Sequence, residues 1–412
     1  MRDRELYATI LGITAPWTVT DVNVALDAKE VRVLLATKPK KRMMCPKCGK
    51  PRPGYDSSPP RSWRHLDTCQ LKTILTARIP RVNCPKHGVL QIKVPWAEDK
   101  SRFTALFEAL VISWLHEANI TAVAYQLALS WEQVDGVMQR AVQRGLERRG
   151  AKLPTCIGVD EKAFRRGQDY ATIVSDQDTG HVVHVAKDRK KDSLDQFYRQ
   201  FDESERATVA SVSMDMWPAY ISSTQEYIPD ADRKIAFDKF HIAKHLGEAV
   251  DQVRRTENKK LRQNDNDILV GTKYLWLTNP DHMSERKWLD FAGLRKSQLK
   301  TARAWALKET AMSLWDYKSR AWAEKAWKKW YSWAIRSRLD PIKKVARMVK
   351  RHWDGVITAV VTKVSNAQAE GINSVIQWLK SSARGFRNWE RYRNAIYFHL
   401  GGLELYPSAI SG

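Results

Sequence analysis

Hydrophobic and polar positions change period several times along the chain, and each change marks a new kind of element. Val19–Leu26 and Glu30–Thr37 alternate apolar and polar side chains on either side of Asp27-Ala-Lys, the pattern of a hairpin. A further strand is predicted over Leu71–Ile79. From Phe103 the spacing lengthens to threes and fours. Phe103, Leu106, Phe107, Leu110, Val111, Trp114 and Leu115 share one face of a helix reaching Glu117. Asn119 precedes a second helical segment, Ile120–Leu129. Ser130-Trp-Glu-Gln then reads as an N-cap with a polar residue at the third helical position. It opens a helix with Val134, Val137, Met138, Ala141, Val142 and Leu146 on its apolar side.

Two short apolar runs come next, and both end in aspartate: Thr155-Cys-Ile-Gly-Val-Asp160 and Ala207–Asp215. Such runs predict buried strands, and a carboxylate at the end of one lies on the rim of a sheet. Between and after them the pattern predicts strands over Asp169–Asp176 and His181–Lys187, then a helix over Asp192–Phe201. It continues with a strand over Ala207–Met214, a helix over Trp217–Tyr227, a strand over Arg233–Phe237 and a helix over Phe240–Arg255. Three strands, helix, strand, helix, strand, helix is the order of a ribonuclease-H-like fold, in which Asp160 and Asp215 end neighbouring strands. Two such carboxylates repel unless a cation lies between them, and Mg²⁺ or Mn²⁺ suits oxygen ligands.

From Asp251 to Val361 strand character disappears. This stretch holds nine tryptophans: Trp276, Trp288, Trp305, Trp315, Trp322, Trp327, Trp330, Trp333 and Trp353. Their helical spacing predicts a bundle with an aromatic core; base stacking or wedging into DNA is the functional alternative. Beyond it, Ser365–Lys380 reads as a helix. Asn366, Glu370, Asn373 or Ser374, Gln377 and Lys380 or Ser381 form its polar stripe, and Val375, Ile376 and Leu379 its apolar side. The basic turn Ser381–Trp389 follows, containing Arg384 and Arg387.

Charge changes this picture. Across 412 residues the formal net charge is +23 and the sequence pI about 9.8, which favours a polyanionic partner. The cations recur at Lys38–Arg42, Arg140–Lys152, Lys187–Lys191, Arg254–Lys260 and Lys343–Arg351. No apolar run approaches the roughly 20 residues of a membrane span, and the start, Met-Arg-Asp-Arg-Glu, has no signal-peptide core. Five cysteines argue for a reducing compartment rather than a disulfide framework. Four residues form a repeated pair: Cys45-Pro-Lys-Cys48-Gly and Cys84-Pro-Lys-His87-Gly. Two residues between ligands let both reach one ion from a tight turn, so Cys45, Cys48, Cys84 and His87 predict a structural zinc site. His65 and Cys69 lie between the pairs as weaker competitors, and Cys156 reads as core.

Zinc pair, helix triplet and acidic motifs together resemble the ISL3 family of bacterial insertion-sequence transposases. The motifs are Gly158-Val-Asp160-Glu-Lys-Ala-Phe, Ser213-Met-Asp215-Met-Trp-Pro-Ala-Tyr220, Phe237-Asp238-Lys-Phe-His241, Glu370-Gly-Ile-Asn373 and Ala383-Arg384-Gly-Phe-Arg387-Asn388. His87 stands where the family more often has cysteine, a swap zinc tolerates. The resemblance implies an Asp160, Asp215 and Glu370 triad holding two Mg²⁺ (or Mn²⁺) ions, with cleavage and strand transfer at transposon ends. It also draws attention to Asp238 and His241, although Asp238 fits equally as a helix cap. The expected architecture is multidomain α/β. A zinc-binding β module (residues 1–97) precedes a helix-turn-helix (98–152). A ribonuclease-H-like core follows (153–250 and 362–412), interrupted by an all-α insertion (251–361). Trp131, Gln133, Asp135, Gln139 and Arg140 would face DNA from the recognition helix, and Lys380, Arg384 and Arg387 from the basic turn. Double-stranded DNA, at transposon ends and in the target, is the expected partner. A homodimer or larger assembly and a cytoplasmic, nucleoid-associated location follow from the same resemblance. A DNA-binding regulator without chemistry and a nuclease that cuts without joining are the rival readings.

Overall fold

A computed structural model describes residues 3–37, 42–165, 169–363 and 367–408. The basic run Lys38–Arg42 therefore lies outside these residues except at Arg42, as do Ser365 at the start of the predicted helix and Asn366 of its polar stripe. The chain forms two compact units. The first comprises residues up to Gly150 together with Tyr397–His399 and the segment from Leu403; the second holds Ala151–Ile396 and Leu400–Gly402. The C-terminal segment was expected to belong wholly to the catalytic core. Instead its end is stitched to the first unit. Arg144 donates to the Leu405 carbonyl (2.8 and 3.1 Å), and Arg148 donates to the carbonyls of Glu404 and Tyr406.

In the first unit, β1 (Trp17–Ala25) and β2 (Glu30–Thr37) form the expected hairpin. β3 (Arg61–Thr68) and β4 (Leu71–Ala77) complete a sheet of order β1-β2-β4-β3. The alternation along β2 buries Val31, Val33 and Leu35 and exposes the residues between. Trp17 and Trp63 meet Trp96 edge-on, with ring centroids 4.7 and 5.4 Å apart, and close this small core. A second sheet of short strands, Gly54–Ser57, Pro80–Cys84 and Gly88–Gln91, carries the second half of the cysteine motif.

Three helices follow: α1 (Ala105–Glu117), α2 (Ile120–Gln126) and α3 (Trp131–Arg149). Each begins with a capped N-terminus. The Thr104, Asn119 and Ser130 side chains accept from backbone N–H groups of the first turn, and Ser130 with Gln133 completes a reciprocal capping box. The turn between α2 and α3 is tight, with Ala128 at φ 50°.

The second unit is built on a five-stranded sheet. Its strands are β5 (Cys156–Ala163), β6 (Tyr170–Asp176), β7 (Val182–Lys187), β8 (Ser211–Met214) and β9 (Ile235–Phe237), in the order β7-β6-β5-β8-β9. The first three run antiparallel as a meander, and β5, β8 and β9 are parallel. α4 (Lys191–Tyr198) and α5 (Pro218–Tyr227) make the crossovers that parallel strands require. A short helix, Glu203–Ala207, occupies the start of what the sequence suggested was one strand from Ala207 to Met214.

From Lys239 to Thr362 every regular element among the described residues is helical. The long helix α6 (Lys239–Arg262) is followed by α7 (Lys300–Ser313), α8 (Arg320–Arg336), α9 (Asp340–Arg351) and α10 (Trp353–Thr362), with the helices Lys273–Leu277 and Glu285–Lys296 and a 3₁₀ turn between α6 and α7. Trp276, Phe291, Trp327 and Trp330 are fully buried and join the sheet in one continuous apolar cluster. α10 does not stand apart with the other helices. Gly355 lies so close to the Phe237 ring that a Cβ there would sit 2.3 Å from it, so this helix covers β9. α11 (Ala367–Ser382) and α12 (Trp389–Leu400) end the fold.

Candidate active site and zinc centre

Val159 and Met214 are the last paired residues of the parallel strands β5 and β8. Asp160 and Asp215 are the next residues of their strands, with Cα atoms on the order of 5 Å apart from the strand spacing. Both carboxylates remain partly open, at 21% and 36% side-chain exposure. The Asp160 carboxylate accepts from the Glu161 N–H (2.7 Å) and from the Asn373 side-chain amide (2.7 Å), with Lys162 Nζ 4.0 Å away. The Asp215 carboxylate accepts from the Met216 N–H (2.6 Å) and has His241 Nδ1 at 3.5 Å. Asp238 caps α6 through the Phe240 N–H and lies 4.0 Å from His241 Nε2.

Glu370 is exposed on α11, one turn before Asn373. Among the described residues, only Cys45, Cys48, Cys84 and His87 bring three or more ligand atoms within 4.8 Å of one another. The Asp160, Asp215 and Glu370 carboxylates are not drawn to that spacing.

Residues outside the predicted set brace this rim. The Arg189 guanidinium lies 4.0 Å from the Tyr170 ring centroid and 4.4 Å from that of Trp217. It donates to both Glu161 oxygens (3.0 and 3.2 Å), and its own carbonyl accepts from the Trp217 indole N–H (2.9 Å). His352, at the foot of α10, packs edge-on against Phe237, ring centroids 5.2 Å apart. Burial and then the Arg351 charge pull its pKa down, against the opposing charge of Asp215. The basic run Lys187–Lys191 marked Arg189 only as a charge and nothing local marked His352, because the partners of both lie on other elements.

α11 docks on the end of β5. Besides Asn373, Lys380 donates to the Ala163 carbonyl (2.7 Å). Phe164, Arg165, Gln377, Lys380, Ser381, Gly385 and Phe386 line a surface groove of about 370 Å³ here. Arg384 and Arg387 are exposed around the turn, with Arg384 and Gly385 both at positive φ.

On α3 the expected exposed row is only partly exposed. Gln133 is exposed, yet its side chain completes the capping box; Gln139 is exposed and donates to Asp135 (2.8 Å). Trp131 is half-buried. Asp135 is buried, contrary to expectation, because it lies on the side of α3 that also carries Val134 and Met138 into the core. Arg140 also departs from the expected role. It donates twice to Glu108, a carboxylate with 1% exposure on α1, at 2.5 and 3.0 Å, so its charge serves the helix interface.

The cysteine motifs converge. Cys45 Sγ and Cys84 Sγ lie 3.8 and 3.6 Å from His87 Nδ1, and Cys48 Sγ lies 3.7 Å from Cys84 Sγ. Burial opposes ionisation of Cys84, but the Lys86 and His87 N–H groups and the His87 and Cys48 side chains outweigh it, bringing this thiol to about 6. Three sulfurs and one imidazole nitrogen at this separation match a tetrahedral zinc ligand set. Cys69 is exposed in a turn outside the cluster. His65 is buried against Thr104 Oγ1 (2.9 Å), and burial, then the Arg64 charge, lowers it to about 4.

A zinc-ribbon motif, a capped helix triplet and an α/β unit with paired strand-end aspartates are together the equipment of a DNA-processing enzyme, and the comparisons place it among the transposases. A transposase family model matches residues 157–396, more than half the chain. A helix-turn-helix domain of transposase family ISL3 matches 92–142, and a zinc-finger of transposase IS204/IS1001/IS1096/IS1165 matches 41–87. The chain belongs to the ISL3 transposase family and is a DNA transposase. It is 29% identical over 419 residues to the transposase for insertion sequence element IS1557 of Mycobacterium tuberculosis, covering 94% of this chain and 93% of that one. It is 25% identical over 356 residues to the transposase for IS1001 of Bordetella parapertussis, covering 85% and 87%. No helix among the described residues is long and apolar enough to cross a membrane.

Proposed function

We propose that Asp160, Asp215 and Glu370 form an Asp-Asp-Glu triad that cuts the transposon end and joins it to target DNA. The observation that carries this reading is the parallel pairing of β5 and β8, which sets Asp160 and Asp215 side by side at the sheet rim. The helix bearing Glu370 is tethered to that rim through Asn373. The strand order, an antiparallel meander followed by two parallel strands, is that expected of a ribonuclease-H-like core, and the helical stretch 251–361 reads as its all-α insertion, with α10 at its end laid against β9. All three proposed ligands offer oxygen, the two aspartates are partly solvent-open, and the donor set suits Mg²⁺ or Mn²⁺. Such ions, when bound, polarise the scissile phosphate, activate the attacking oxygen and stabilise the leaving one. The chain supplies the rest. The Glu161 and Met216 N–H groups and the Asn373 amide hold the aspartate carboxylates in orientation. Lys380 lines the groove beside α11, Arg384 and Arg387 are exposed on the turn that follows, and all three suit the phosphate backbone. The helix-turn-helix and zinc ribbon read the terminal repeats, and Gln133, Gln139 and Trp131 are the side chains offered to DNA. Two paired ends imply at least a dimer, acting in the bacterial cytoplasm at the nucleoid.

The test is cleavage of a labelled transposon-end duplex with Mg²⁺ by the wild type and by Asp160→Ala, Asp215→Ala and Glu370→Ala. Metal-dependent cuts lost in each variant, with end binding kept, support the triad. Full cleavage by any one of them overturns it.

A further inference from the structure

Of the nine tryptophans between Asp251 and Val361, seven are accounted for by the core. Trp276, Trp315, Trp327 and Trp330 are buried in it, and Trp288, Trp305 and Trp353 pack against it. The remaining two lie on one helix, and on the same side of it. On α8, Trp322 is 61% exposed and Trp333 is 42% exposed. They belong to a row at successive intervals of three, four, four and three residues: Trp322, Lys325, Lys329, Trp333 and Arg336. This spacing keeps all five on one stripe, roughly 21 Å long at 1.5 Å per residue. The opposite side of the helix carries Ala323, Trp327, Trp330 and Ala334 into the core.

The chemistry of the row is mixed by design rather than merely solvated. Lys325 Nζ sits 5.1 Å from the centre of the Trp322 ring, so the cation and the aromatic face are presented together. Arg336 is braced by a hydrogen bond to Ser332 in the preceding turn. Glu324, the one carboxylate of this helix, is engaged by Arg320 away from the row, leaving the stripe uniformly positive. A solubilising surface needs no tryptophan, and a stripe whose charges are all positive favours a polyanion over a partner of mixed charge. Aromatic planes alternating with cations match a sugar-phosphate backbone and the base edges it exposes.

We propose that the Trp322–Arg336 stripe of α8 is a second DNA-holding surface, separate from the helix-turn-helix and the acidic rim. It grips duplex through its phosphates while Trp322 and Trp333 pack on the backbone sugars. The contact is independent of sequence, so it would hold flanking or target DNA as readily as the terminal repeat. This inference rests on the protein's action on DNA and not on the identity of its catalytic triad. Its readout is binding, so a failed triad leaves it testable.

The experiment uses the full chain with a labelled duplex from the element's own end and a scrambled duplex of equal length, titrated over a salt series. Trp322→Ala/Trp333→Ala should weaken binding to both duplexes about tenfold with an unchanged melting temperature. Lys325→Gln/Lys329→Gln should reduce the slope of log affinity against log salt by about two. Unchanged affinity and slope in both double variants would overturn the proposal. So would a shift in the sedimentation of the DNA-free protein with affinity per protomer unaltered, which would make the stripe a contact between copies of the chain.

Discussion

Asn373 donates its side-chain amide to Asp160 Oδ2 at 2.7 Å, linking residues 213 positions apart in the chain. One end of this bond is on the first acidic strand; the other is one turn beyond Glu370 on α11. The bond therefore sets where the Glu370 helix meets the sheet. Asn373→Ala should slow single-turnover cleavage of an end duplex by about 10- to 100-fold, as expected when a reacting group is displaced by an ångström or so. End binding should be unchanged. Asn373→Asp should be worse than alanine at low Mg²⁺, because it sets a second carboxylate against Asp160. Equal rates for the wild type and the alanine variant would remove Asn373 from the positioning of the site.

The zinc centre has a pH dependence whose sign follows from Cys84. Its thiol is lowered from 9.0 to about 6 in the folded chain, the backbone and side-chain hydrogen bonds outweighing burial. A lowered folded value means that ionised Cys84 favours the fold fully above pH 9, and that this contribution is lost as pH falls toward 6. Zinc needs the same thiolate, so retention should hold at pH 8 and fall steeply below about 6. Metal content after dialysis against a chelator at stepped pH checks this. Cys84→Ser should lose zinc at every pH. His65→Ala should keep it, since His65 is committed to Thr104 within the sheet core.

Arg140 tests the difference between a basic surface and a basic interior. Its guanidinium binds Glu108 Oε1, which also accepts from Ser101 Oγ (2.7 Å), while Glu108 Oε2 is buried without a hydrogen bond and has Arg144 3.7 Å away. Arg140→Ala should destabilise the first unit by about 2–3 kcal/mol, because a buried carboxylate loses its main partner. Glu108→Gln in the same chain should recover part of that loss. The thermal melt reads both. If Arg140 were chiefly a DNA contact, alanine would weaken binding and leave the melt in place.

These cases show where the sequence was legible. Period predicted the helices from Phe103 onward and the Ser130 cap the start of α3, both local signals; Thr104 and Asn119 cap their helices as well, but neither was read as a cap from the sequence. The cysteine pairs were legible for the same reason: each half is a three-residue spacing, and only their meeting required the fold. Asp160 and Asp215 stood out because a buried run ending in a charge is a local contradiction that only a rim position resolves. What was not legible depended on a neighbour from elsewhere in the chain. The Arg140 position on α3 resembles any exposed cation until Glu108 of α1 is brought beside it. The stretch from Trp353 to Thr362 resembles the helices before it, and only the contact of Gly355 with Phe237 assigns it to the sheet. The return of Leu405 to Arg144 leaves no periodic trace in either segment.

Arg189 is the strongest case of a site residue that the sequence showed only as one charge in a basic run, and its role can be separated from stability. It stacks between Tyr170 and Trp217, grips Glu161 with its guanidinium, and accepts the Trp217 indole at its carbonyl. Glu161 follows Asp160, and Trp217 is two residues after Asp215. One side chain thus fixes the backbone just beyond both acidic positions. Lysine keeps the charge but loses the flat guanidinium that stacks on two rings and reaches both carboxylate oxygens. Arg189→Lys should therefore lower the cleavage rate about tenfold and raise the Mg²⁺ concentration needed for half-maximal rate, while end binding stays within about twofold. A role in stability alone would move the melting temperature and leave the metal dependence of the rate where it was. A Mg²⁺ titration of single-turnover cleavage, run beside a thermal melt on the same preparation, distinguishes the two. Coincident metal curves for the wild type and Arg189→Lys would show that the cage braces the sheet without setting the geometry of the aspartates.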